Sequence, residues 1–185
     1  MNATAPEIVA ETVRYAAARF RTNTLSQQEL RDLVDQMMYQ NIWYDEFLTV
    51  LDPESPWPDD ALPAIEKALG HFGLLMPSMD EANRLQVERL LRPVAEGLAD
   101  PVEGLTEFMR QFYWEYEVPD PGKQFGESLG VEGVVALYYQ LDDWLGFKPN
   151  LLSDPADARE VSQLKAKIVR AAQTWLENRA GQVRN

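Results

Sequence analysis

Cysteine is absent from the 185 residues, and histidine occurs once, at His71. Without cysteine there is no disulfide and no thiolate metal site. A single histidine excludes a His pair on one helix face. A carboxylate-bridged metal bundle needs Glu-x-x-His twice, and the residue three before His71 is Ala68. His71 instead reads as a helix-end residue near the negative end of a helix dipole. A Ser or Cys triad needs a histidine base held by an acid, and the single histidine reads as a helix-end residue. No Gly-x4-Gly-Lys-Ser/Thr phosphate loop is present. Gly126, Gly130 and Gly133 are spaced in a way that matches no nucleotide fingerprint. No cofactor and no metal are expected on these grounds.

Long apolar runs are also missing. None approaches the 18 residues of a membrane span. The opening residues, Met1 to Glu7, carry no basic segment followed by an apolar one, so no secretory signal is expected and a reducing cytoplasm is the expected home. No segment alternates apolar and polar residues convincingly, and no Asn-Gly hairpin occurs.

What is present is helical. Thr4, Ser26, Ser78 and Asp100 are each followed three positions later by a glutamate. In that layout the cap oxygen accepts a first-turn N–H and the glutamate reaches back to the N–H of the cap. Asp154-Pro155 is a weaker version, and proline at the first helical position costs nothing. Apolar stripes follow at helical spacing: Leu30, Leu33, Val34, Met37, Met38; Leu62, Ile65, Leu69, Phe72; Val102, Leu105, Phe108, Met109, Phe112, Tyr113, Tyr116; Val134, Val135, Tyr138, Leu141, Leu145; and Val161, Leu164, Ile168, Ala171, Ala172, Trp175. Gly70, Gly73, Gly146 and Gly181 read as helix stops. Pro93, inside the run Leu85 to Leu98, should kink or split its helix. The pattern predicts an all-α protein: one domain, 1–185, a bundle of about eight helices. Residues 25–38 also align with 100–113, pairing Leu30 with Leu105, Leu33 with Phe108, Val34 with Met109 and Met37 with Phe112. A duplication would make 1–76 and 77–185 two similar halves.

Three stretches interrupt the helices: 52–60, with three prolines, 118–130 and 146–155.

The formal net charge is −13, which disfavours nucleic acid and favours a basic partner. Residues 41–60 hold Asp45, Glu46, Asp52, Glu54, Asp59 and Asp60 with no Lys or Arg. The last helix is basic and could pack against that acidic loop. Glu115 with Glu117, and Asp142 with Asp143, diverge on a helix and do not make a converging acid–base pair. Trp43, Tyr44, Trp57 and Trp114 lie among the acids, and aromatics edged by carboxylates suit Arg or Lys.

The expectation is a non-catalytic acidic protein that binds a basic protein partner, with neither nucleic acid nor a membrane involved. Its most concrete form is a bacterial immunity protein that occludes a basic toxin. The expected contacts are Asp45, Glu46, Trp57, Asp59, Asp60, Trp114, Glu115, Glu117 and Asp120. The alternatives are a helical adaptor acting as a homodimer, and a small-ligand binder or carboxylate enzyme with a pocket between two helical halves.

Overall fold

The computed structural model of the chain describes residues 5–52, 57–58, 61–113, 129–147 and 155–182. Among them are eight α-helices and one π-helical turn, and no strand. The helices are α1 (Ala5–Arg21), α2 (Gln27–Tyr39), α3 (Phe47–Leu51), α4 (Ala61–His71), α5 (Met79–Ala95), α6 (Pro101–Phe108), α7 (Glu132–Phe147) and α8 (Pro155–Gln182). The π turn, Met109–Tyr113, follows α6 directly. The protein is all-α. No described helix is long and apolar enough to cross a membrane.

Two compact units divide the chain, Met1–Gln86 and Val87–Asn185. In the first, α1 packs on α2 and α4, and α3 bridges α2 and α4. Its core joins Val9, Val13, Ala16 and Ala17 of α1, Leu30, Leu33, Val34 and Met37 of α2, and Ala61, Ala64, Ile65, Ala68 and Leu69 of α4. Alanines line both sides of the α1–α4 contact, so the two backbones can approach closely. Phe47 and Val50 of α3 complete this core.

In the second unit α6, α7 and α8 pack on one another. Leu105, Phe108, Met109 and Phe112 meet Val134 and Leu141 of α7 and Ile168, Ala172 and Trp175 of α8. Each such large side chain contributes about 1.5–3 kcal/mol by leaving water. Leu30, Leu33, Val34 and Met37 and their aligned positions Leu105, Phe108, Met109 and Phe112 are all buried.

Several details differ from the expectation. Met38 and Leu62 are 41% and 40% exposed, so each lies off its stripe, and α4 buries Ala61, Ala64 and Ala68 beside Ile65 and Leu69 instead. Tyr113 lies in the π turn Met109–Tyr113 and not in an α-helix. Tyr116 lies outside the described residues, as do most of the loops 118–130 and 146–155.

Pro93 does not split α5. It sits in the last turn, and the helix ends at Ala95. The Pro93 carbonyl then accepts Leu98 N at 2.8 Å, and Gly97 N donates to Val94 O at 3.2 Å. With Gly97 at φ 71°, this is a Schellman cap. Three other helices end the same way. Thr24 N donates to Arg19 O around Asn23, Ile42 N to Met37 O around Asn41, and Leu74 N to Leu69 O around Gly73. Asn23, Asn41 and Gly73 all have φ near +60°. Gly70, Gly146 and Gly181 each stand one residue before the last residue of α4, α7 and α8, so they mark those helix ends to within a residue.

The start signals take more than one form. Ser26 and Glu29 make both bonds of a capping box. Ser78 Oγ accepts Glu81 N at 3.2 Å, while Glu81 pairs with Arg14 at 2.6 Å. Asp100 Oδ1 accepts Val102 N at 2.9 Å and Glu103 N at 3.4 Å. Its other oxygen accepts Lys165 Nζ at 2.6 Å.

Candidate functional site

The candidate surface is the segment from the end of α2 into the start of α3, residues 38–48. The turn at Asn41 reverses the chain, and Ile42 packs back against the core of the first unit. Tyr44 O accepts Phe47 N at 3.0 Å and Asp45 O accepts Leu48 N at 3.1 Å, which starts α3. Thr49 Oγ1 donates to Glu46 O at 2.7 Å. Arg31 of α2 donates through Nε to Val50 O and through Nη2 to Asp52 O, both at 3.1 Å, and so ties down the far end of α3.

Phe47 is fully buried and anchors the segment. Trp43 and Tyr44 meet it edge-on, with ring centroids 6.2 and 5.6 Å away. Such pairs add about 0.5–1.5 kcal/mol beyond the area they bury. Tyr44 Oη and His71 Nδ1 are 3.0 Å apart, and His71 packs edge-on against Phe72 at 4.8 Å. His71 is thus the last residue of α4, at the dipole's negative end, and holds the Tyr44 ring across the turn.

Outside this anchor the segment is exposed and mixed in character. Tyr39 is 88% exposed, Leu48 57% and Trp43 44%. Asp35, one turn before Tyr39 on α2, and Asp45 are also exposed. Neither makes an ion pair among the described residues. Glu46 differs: Lys67 of α4 lies 3.2 Å from its carboxylate. Its own backbone N–H, and then Lys67, hold the Glu46 carboxyl below the usual glutamate range.

The expected contact residues therefore divide. Asp45 is exposed at the rim and makes no ion pair among the described residues. Glu46 is engaged by Lys67. Trp57 is half-buried and packs against the core of the first unit, so its ring covers apolar side chains. Asp59, Asp60, Trp114, Glu115, Glu117 and Asp120 lie outside the described residues. Tyr39 and Leu48 were not among the expected contacts. Tyr39 lies off the buried stripe, one turn after Asp35 on the exposed face of α2.

The basic last helix finds its partners within its own unit. Lys165 pairs with Asp100 at 2.6 Å, and Arg179 with Glu88 at 2.6 Å. Within 41–52, Lys67 meets the Glu46 carboxylate, and Arg31 donates to the backbone oxygens of Val50 and Asp52. Asp142 and Asp143 are exposed. Among the described residues no group of three His, Asp or Glu is placed to hold a metal ion.

No family model matches the chain, and no curated protein or solved structure matches it either.

Proposed function

We propose that the protein is a non-catalytic binding module that engages a basic protein through the 38–48 rim of its first unit. The observation that carries this reading is the exposure of Tyr39, Trp43 and Leu48 beside the exposed carboxylates of Asp35 and Asp45, which make no ion pair among the described residues. Large aromatics left in water on an anchored turn are the kind of residue that dominates binding energy at interfaces. Carboxylates beside them suit a guanidinium or ammonium, which also stacks on an aromatic face. The net charge of −13 speeds encounter with a positively charged surface. The Phe47 anchor and the Arg31 bonds support the reading further, because a turn held before binding loses less entropy on binding.

An immunity protein that covers the active site of a basic toxin is the narrower form of this reading. It rests on the same charge and the same rim, and it adds a demand: the captured partner must be a toxic enzyme whose activity the bound chain suppresses.

The test is affinity capture from the producing cell with the wild-type chain and with Tyr39→Ala/Trp43→Ala, at low and at moderate salt. The reading expects a stoichiometric basic partner that is lost with the double variant and weakened by salt. Equal recovery by both chains contradicts it, and so does a dimer of this chain alone that is indifferent to salt.

A further inference from the structure

We propose that a groove in the second unit, between the start of α7 and the middle of α8, binds a small phosphate-bearing molecule. The groove has a volume of about 340 Å³. That is at the small end of the range that ligand sites occupy, about 300–1,000 Å³.

One wall is a single stripe of α8. Lys167, Arg170, Thr174 and Asn178 line it at successive turns, and all four are exposed. The facing wall is backbone. Gly130 and Gly133 line it, and a Cβ at either would meet nothing within 4 Å. No side chain at these two positions keeps a ligand away from the main chain. The walls are tied together from below: Trp175, 7% exposed, donates its indole N–H to Leu129 O at 2.9 Å. The groove is therefore held in shape before anything enters it.

The charges point to the ligand. Two other α8 cations are engaged, Lys165 by Asp100 and Arg179 by Glu88. Lys167 and Arg170 make no ion pair among the described residues, in a chain whose net charge is −13. No carboxylate among the described residues lines the groove, although Glu132 and Glu177 are sequence neighbours of lining residues. Two cations and no acid suit a dianion. A carboxylate would satisfy one of them and leave the other unmatched. The Thr174 hydroxyl and the Asn178 amide add neutral donors of the kind that phosphate oxygens accept. The positive end of the α7 dipole opens on the same side, since Gly133 and Val134 are in its first turn. Val134 and Ala171 supply apolar surface for the organic part of the molecule.

The test is a titration of the full ¹⁵N-labelled chain with pyrophosphate, and separately with acetate, at constant ionic strength. Binding in the groove predicts saturable shifts at Gly130, Gly133, Thr174 and the Trp175 indole N–H. Lys167→Ala/Arg170→Ala should weaken pyrophosphate by about tenfold or more, as loss of charge-assisted hydrogen bonds does. Lys67→Ala, a cation of the first unit, should leave the affinity unchanged. The proposal is overturned if those resonances do not saturate, if the double variant binds as tightly as wild type, or if acetate binds as tightly as pyrophosphate. The groove and the 38–48 rim share no residue, so either assignment can fail without the other.

Discussion

Lys165 Nζ stands 2.6 Å from Asp100 Oδ2, while Asp100 Oδ1 accepts the first-turn N–H of Val102. One carboxylate thus caps α6 and holds α8. Two substitutions separate the roles. Asp100→Asn keeps a capping oxygen and loses the ion pair, and Asp100→Ala loses both. Loss of the cap costs about 1 kcal/mol, within a range of about 0.5–2. Denaturant unfolding should place Asp100→Ala below Asp100→Asn, and both below wild type.

The same carboxylate predicts a pH dependence. Lys165 first, with the Val102 and Glu103 N–H groups, holds Asp100 below the usual aspartate range. A group whose pKa is lowered by folding stabilises the fold above its unfolded pKa, about 3.9, and loses that contribution as pH falls through the lower folded value. The stability gap between wild type and Asp100→Asn should be full above about pH 5 and shrink below about pH 4. A gap that widens on acidification would contradict this assignment.

Gly104 lies inside α6, where alanine would ordinarily add about 1 kcal/mol through helix propensity. Here a Cβ would overlap the Val94 Cγ2 methyl, and Val94 is buried. Overpacking costs about 1–3 kcal/mol. Gly104→Ala should therefore destabilise, and Val94→Ala/Gly104→Ala should recover part of the loss in thermal unfolding.

Asn41 ends α2 at φ 59°. A residue with a Cβ in that region costs roughly 1–2 kcal/mol, and glycine is exempt. Asn41→Ala should lower stability, whereas Asn41→Gly should match wild type or exceed it. Chemical denaturation of the three chains checks the order.

Phe47 and Leu48 are neighbours in sequence with opposite surroundings, 0% and 57% exposed. Phe47→Ala should cost about 3–5 kcal/mol. Leu48→Ala should stay within about 0.5 kcal/mol of wild type. Similar losses at both positions would mean that the rim is not exposed in the way described.

These residues also show what the sequence could reveal. Ser26 with Glu29, and Asp100 before Pro101, announce helix starts because capping is local chemistry. The buried faces of α2 and α6 follow from apolar spacing for the same reason. The helix ends were harder to read. Asn23 and Asn41 are ordinary polar residues until their positive φ is known, while Gly146 and Gly181 mark the ends of α7 and α8 to within one residue. The π turn at Met109 leaves no mark in an apolar stripe that continues through it. Contacts between distant positions were out of reach altogether. Tyr44 meets His71, and Lys165 meets Asp100, across long separations in sequence. At the rim, the acids and Trp43 were visible, but the engagement of Glu46 by Lys67 and the half-burial of Trp57 were not. In the groove, Lys167 and Arg170 could be read as a basic stripe, yet nothing in their spacing indicates the glycine wall opposite.

The most direct test of the binding account is hydrogen–deuterium exchange on the chain alone and in complex with its captured basic partner. The account predicts added protection concentrated in residues 38–48 at the end of α2 and in α3. Unchanged exchange there, with protection appearing only in the second unit, would contradict it.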